Sequence, residues 1–432
     1  MVAGAEVVVG GAGRASPVVA GGVRGAGLGN GGSAGGGGCC PPDCNAAMNS
    51  NAHSMDEIIR LRDFCRAERP WLLETIESLV RLESPTDDKA AVDRCGAAIA
   101  GRLTAIGGRV STLPRTERGH HLLGEFGCGT SQILLLGHFD TVWPVGQIDR
   151  MPVEIRDGRL HGPGVFDMKT GIALGMLATR ALLETGAALS KRIVMLWTTD
   201  EEVGSQTSRA AIEDEARRSD AVLVLEPSLP GGMLKTSRKG VGTYELMARG
   251  VAAHAGVDPA KGASAIHELA YQIGCLSRLP TQSAGISVNV GLISGGTRSN
   301  VIAEEAKAIV DVRAITADEM TMVDGIVRHL ELRNPRVTLE VSGGFDRPPL
   351  ERTAAVARLY DQARAIAREM GHDLAEGSTG GGSDGNFTAA LGVPTLDGLG
   401  AIGDGAHALH EHVEVDALPD RAALVAGLIG SI

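Results

Sequence analysis

Aromatic side chains make up only 3% of this 432-residue chain, so its cores must rest on Ala, Val, Leu and Ile. Long apolar runs are missing as well. None approaches the roughly 20 residues that a membrane-spanning helix needs. A basic excess is absent: the net charge is -11 and the pI is near 5.6. Phosphate binding needs clustered Lys and Arg, which argues against a nucleic-acid partner. Part of the acid excess can instead neutralise bound cations. Cysteines number seven, an odd count, and four of them are scattered. Cys39, Cys40 and Cys44 cluster without partner ligands, so free thiols in a reducing compartment are expected. A secretory leader pattern is missing, since Glu6 comes early and glycines break up the valines. A cytoplasmic protein is the expectation.

Glycine is what the first segment has in abundance, 15 residues in the first 40. Residues 1–54 therefore cannot bury enough surface to offset their ordering entropy and are expected to be disordered. Met48 or Met55 is an alternative start. The remaining length exceeds one ordinary core. It divides into a first catalytic part at 55–235, an inserted domain at 236–343 and a second catalytic part at 344–432.

The division follows hydrophobic periodicity. Helical spacing runs from Asp56 to Ser84 and from Ala90 to Ile106. Short apolar runs at Ile133–Leu136, Ile193–Thr199 and Ala221–Leu225, separated by a helix at Gly171–Leu183, predict buried parallel strands covered by helices on both faces. From Val241 to Val341 the order is instead β-α-β-β-α-β, the ferredoxin-like arrangement. A helix at Ala354–Met370 and apolar residues at Val393–Leu399 then return to the first sheet. The fold class expected is α/β, a mainly parallel sheet with an inserted ferredoxin-like α+β domain.

Each buried strand ends in acids, or in an acid with His: His138 and Asp140, Glu201 and Glu202, Glu226. Ligands bind beyond the carboxyl ends of parallel strands. The loop Gly162-Pro-Gly-Val-Phe-Asp167-Met-Lys169 adds one more carboxylate ahead of a helix. So many acids in one cleft repel unless cations compensate. Carboxylate mixed with imidazole suits zinc, cobalt or manganese. His138 and Asp140, two apart, point the same way in extended chain, so Asp140 can orient the ring of His138. Adjacent Glu201 and Glu202 cannot easily bind the same ion. One is left to serve as base, and spacing alone does not say which.

The blocks Gly137-His-Phe-Asp-Thr-Val-Trp143, Gly162–Lys169 and Thr199-Asp-Glu-Glu-Val-Gly-Ser205 resemble the signatures of the zinc aminoacylase and carboxypeptidase family. Glutamate carboxypeptidase, acetylornithine deacetylase and succinyl-diaminopimelate desuccinylase belong to that family. The resemblance covers about residues 70–425 and implies the di-zinc peptidase fold. It implies that His138, Asp167, Glu202, Glu226 and His407 hold two divalent metal ions per chain, zinc by preference. By the same resemblance Asp167 bridges them, Asp140 orients His138, and Glu201 is the general base toward a water between the metals. His407 fits a His with Glu four residues on, here Glu411. His410 and His412 are nearby competitors. The inserted domain is implied to be a lid and dimerisation domain. Its His254 would act in the neighbouring subunit's site, while Asn300 and Arg313 contact substrate. Read without the resemblance, Arg313 could simply pair with Asp311. The loop Thr379–Gly385, with Gly381 and Ser383, resembles a substrate-pocket lining. Thr170, Ala303 and His410 depart from residues usual in the family, and none is an implied ligand.

The function implied is hydrolysis of an amide bond beside a free carboxylate in the manner of a glutamate carboxypeptidase, on a small peptide or N-acyl amino acid, by a homodimer. An N-acyl amino-acid deacylase is the alternative enzyme. A non-catalytic metal-binding scaffold is the alternative of another class.

Overall fold

The computed structural model describes residues 55–432 except residues 188 and 282. The Gly-rich segment 1–54 and its cysteine cluster lie outside the described residues.

The helical stretch near the start is two helices, Met55–Ala67 and Arg69–Arg81, parted at Glu68. Pro70, in the second helix's first turn, explains the restart, because proline brings no N–H and is tolerated only there. A third helix, Lys89–Ala105, is capped by the Asp88 side chain on the Ala91 amide.

The large sheet has six strands in the order Arg109–Leu113, His121–Phe126, Arg192–Thr198, Gln132–His138, Ser219–Val224, Thr395–Leu396. Pairings among the last four strands are parallel, and the first two attach antiparallel. Those first two strands were not evident in the sequence. One of them, Arg109–Leu113, is largely exposed and offers no apolar run. In the centre, Gln132–His138 is buried along its whole length. Its side chains alternate between two cores, as the pleat requires. Ile133 and Leu135 join the core containing the Thr170–Glu184 and Leu418–Ser431 helices. Leu134 and Leu136 join a smaller one with Ile212, Ala216 and Phe387. Among the described residues no helix is long and apolar enough to cross a membrane.

The expected β-α-β-β-α-β stretch forms a separate antiparallel sheet, ordered Ser287–Gly295, Glu305–Ala314, Gly240–Arg249, Thr338–Arg347. Its helices are Ala265–Leu276 and Ala317–Arg328, each shorter than the apolar spacing suggests. Ser264 and Thr316 cap them, accepting from His267 and Glu319 amides. Alternation along the central strands buries Tyr244, Leu246, Val310 and Val312 beneath the two helices. The edge strand Ser287–Gly295 stays open, with Leu292 and Ile293 exposed.

Two small sheets matter for the site. Leu234–Arg238 pairs with Glu376–Thr379. Gly403–Asp404, His412–Glu414, Arg159–His161 and Glu154–Arg156 form a four-stranded antiparallel sheet, pairing His412 with His161.

Candidate metal centre

Three parallel strands and two loops deliver the acids to one place. His138 ends its strand fully buried, and its Nδ1 lies 3.1 Å from the Asp140 carbonyl oxygen and 3.4 Å from Asp140 Oδ1. That side of the ring therefore carries a proton, and Nε2 faces Asp167 Oδ1 at 3.2 Å and Glu226 Oε1 at 3.5 Å. Asp140 also accepts from Thr86 Oγ1 at 2.8 Å and from the amides of Glu201 and Glu202 at 3.4 and 3.3 Å. It locks two strand ends together.

Across the cleft, His407 Nε2 meets Asp167 Oδ2 at 3.4 Å and Glu202 Oε2 at 3.1 Å. Asp167 thus offers one oxygen to each histidine. It joins two contact groups, the His138 ring with Glu226 and the His407 ring with Glu202. His410 is exposed, with Asp404 3.9 Å away, and the His412 ring packs at a tilt against His161. Neither reaches the acids.

The neighbouring glutamates diverge. Glu202 turns toward His407. Glu201 turns toward Arg347, whose Nη2 lies 3.1 Å from Glu201 Oε1 and 3.0 Å from the Glu201 carbonyl oxygen. Arg347 also reaches Ser205 Oγ at 2.9 Å and Asp384 Oδ1 at 3.2 Å, and packs over the Phe387 ring. A second buried guanidinium, Arg238, grips Asp397 through two bonds of 2.7 and 3.0 Å and approaches Glu226 Oε2 at 3.4 Å. Neither arginine stood out in the sequence. Arg347 does precede Pro348-Pro349, and Arg238 ends the mostly polar strand Leu234–Arg238, but neither pattern names a partner.

The electrostatics fit cations. Burial raises Glu201 well above the usual carboxylate range, against the opposing pull of Arg347 and His138. Asp167 is held low despite its burial, by hydrogen bonds from both histidines. His407 is pushed up to about 10 by its contacts with Asp167 and Glu202. Protons on the imidazoles thus compensate the acids, and a divalent cation would take their place. Glu202 Oε1 is buried without any hydrogen-bond partner, a costly state for a carboxylate oxygen unless an ion meets it. Ligand atoms of His138, Asp167 and Glu202 lie within 4.8 Å of one another, as do those of His138, Glu201 and Glu226. In the second group Glu201 already has Arg347 as its counter-charge.

Other expected residues sit elsewhere. His254 and Val301 form a bridge in the inserted sheet's end loops, and the Asn300 carbonyl accepts from the Ala255 amide at 2.9 Å. Those two loops are joined, and among the described residues their hydrogen bonds stay within the inserted domain. Arg313 makes two 2.8 Å bonds to Asp311 and one of 3.4 Å to the Gly380 carbonyl, so the pairing with Asp311 that the sequence allowed is present. Gly381 is exposed, and its carbonyl accepts from Arg238. Ser383 is turned inward instead of lining the cleft. It is fully buried and donates to Asp397 Oδ2 at 2.7 Å, because the turn into the Gly385–Ala390 helix points it into the protein.

Comparison with known proteins agrees with this architecture. Carboxypeptidase G2 of Pseudomonas sp. is 30% identical over 376 residues, covering 84% of this chain and 89% of that protein. A succinyl-diaminopimelate desuccinylase of Xanthomonas oryzae pv. oryzae is 29% identical over 392 residues, covering 83% and 98%. The crystal structure of aminopeptidase PepT from Bacillus cereus superposes with a TM-score of 0.70 at 24% identity, over 84% of this chain and 98% of that one. The sequence profile of peptidase family M20/M25/M40 matches residues 134–431, and the chain belongs to that family as a metallopeptidase or amidohydrolase.

Proposed function

We propose that the protein hydrolyses an amide bond beside a free carboxylate, in the manner of a glutamate carboxypeptidase. The observation that carries this reading is Asp167 offering one oxygen to His138 and the other to His407, with Glu226 and Glu202 beside those rings and Glu201 paired with Arg347. His138, Asp167 and Glu226 would hold one divalent cation, and Asp167, Glu202 and His407 a second, with zinc preferred and cobalt or manganese as alternatives. When bound, such a pair polarises the scissile carbonyl and lowers the pKa of water toward about 7.

The chain's own groups do the rest. Asp140 fixes the His138 ring so that Nε2 faces inward. Arg347 engages Glu201 Oε1, so Oε2 is the atom that takes a proton from water and returns it to the leaving amine. His254 Nδ1 accepts from the amides of Gly256 and Val257, both at 3.1 Å. That places its remaining proton at Nε2, as a donor toward a developing oxyanion. The donor would serve the neighbouring subunit of a homodimer, formed along the open Ser287–Gly295 edge. Asn300, Arg313 and the Gly381 loop would contact the substrate, with Arg313 exchanging Asp311 for the substrate carboxylate.

The desuccinylase likeness, at 29% identity over 392 residues, supports N-acyl amino-acid deacylation as a second reading. One experiment separates them. Desalted protein is assayed for metal content and offered acyl-glutamates, dipeptides and succinylated or acetylated amino acids. Release of glutamate from folate-like amides and C-terminal glutamyl peptides is expected. Exclusive release of small acyl acids favours the second reading. Fewer than one metal ion per chain, with turnover indifferent to chelators, refutes both.

A further inference from the structure

Beside the cluster lies a carboxylate that the chemistry above does not use. Glu411 is 1% exposed and accepts four N–H groups. Its Oε2 receives Trp143 Nε1 at 2.8 Å and the Gly164 amide at 2.9 Å. Its Oε1 receives the amides of Phe166 at 2.9 Å and Asp167 at 3.1 Å. A carboxylate offers about four acceptor positions. All are filled, so Glu411 has nothing left for a cation. Three of the four donors are main-chain amides of the very loop that carries Asp167.

The same residue belongs to the hairpin that carries His407. Gly403–Asp404 and His412–Glu414 are its strands. Its loop is closed by the Ala408 amide on the Gly405 carbonyl at 2.8 Å and the Glu411 amide on the Ala408 carbonyl at 3.0 Å. His407 stands in this turn at φ +60°, a left-handed conformation that few non-glycine residues adopt. The turn therefore dictates where the ring points. A closed circuit results. His407 meets the Asp167 carboxylate, the Asp167 amide meets Glu411, and the hairpin turn returns to His407.

We infer that Glu411 is the positioning residue of the metal centre: it ties the Asp167 loop to the His407 turn, so that the shared ligand and the last ligand are set as one unit before any ion arrives. The inference rests on the ligand assignment given under Proposed function. Charge and reach both matter. Glutamine keeps one acceptor oxygen and turns an NH2 toward two N–H donors. Aspartate keeps the charge but falls one methylene short.

The test uses metal-free full-length protein. Zinc is titrated against a competing chelator, and amide hydrogen exchange of residues 162–169 is followed without metal. Exchange reports the clamp independently of both ion and turnover. Glu411→Gln should bind zinc about 10- to 100-fold more weakly and should exchange this segment faster. Glu411→Asp, the variant to rely on if the first does not fold, should fall between it and wild type on both measures. Unchanged exchange in either folded variant overturns the inference, and so does faster exchange with wild-type zinc affinity. Wild-type protein that takes up no zinc overturns the metal-centre reading itself. That failure is seen before any variant is made, so the two remain distinct.

Discussion

Arg347→Leu tests how far one buried cation sustains the acidic cleft. The guanidinium is 6% exposed and serves Glu201, Ser205 and Asp384 at 2.9–3.2 Å. Its loss does not affect the two acids equally. Asp384 keeps Thr198 Oγ1 at 3.1 Å and the Ser205 hydroxyl. Glu201 keeps the more distant pull of His138 and lies beside further acids. Removing one partner of a buried pair costs about 3–5 kcal/mol, because the other charge is left uncompensated. Most of that cost should therefore sit on Glu201. Neutralising it in Glu201→Gln/Arg347→Leu should recover part, a coupling of about 1–3 kcal/mol. Urea unfolding of metal-free protein across the four-member cycle measures this without interference from bound ions. A single-mutant loss below about 1 kcal/mol, or a double mutant no more stable than Arg347→Leu, would refute the reasoning.

Further outcomes follow from the same geometry. Glu201→Gln should keep its full metal content and lose about 10²- to 10⁴-fold in turnover; loss of metal with activity in proportion would reverse the roles of Glu201 and Glu202. Mixing His254→Ala chains with Glu201→Gln chains should restore activity in exchanged dimers, each with one intact site. Mixtures that stay inactive place His254 in its own chain's site, and a fully active monomer ends the dimer reading. Asp311→Ala, by freeing Arg313, should lower KM for substrates bearing a carboxylate and leave kcat little changed. A KM unchanged by either Asp311→Ala or Arg313→Ala removes Arg313 from recognition.

The acids at the strand ends were legible because their strands are continuous apolar runs, and a parallel sheet brings such ends together. Asp167 was legible from its loop and the helix after it. The residues that hold these groups were not. Arg347 meets Glu201 across 146 positions, Arg238 meets Asp397 across 159, and Glu411 meets Asp167 across 244. No local period encodes such contacts. Ser383 was read as pocket lining because Gly-rich loops usually approach ligands. Here the Ser383 hydroxyl serves Asp397. The inserted sheet was legible in strand order because each central strand alternates cleanly. Its first helix was overestimated at both ends, where short 3₁₀ turns at Pro259–Lys261 and Leu279–Thr281 flank it, and its second stops at Arg328.

The Leu418–Ser431 helix is buried along nearly its whole length against the Thr170–Glu184 and Met55–Ala67 helices. Its contribution to the core therefore comes after almost everything it must cover. While the chain is being synthesised, the apolar face of Thr170–Glu184, with Ile172, Leu174, Leu177 and Leu182, waits for more than 230 residues without its natural cover. Such a nascent chain is the form most exposed to sticking and to proteolysis. The hairpin bearing His407 precedes that helix by only a few residues. Completion of the core and arrival of the His407 turn thus fall at nearly the same stage of synthesis.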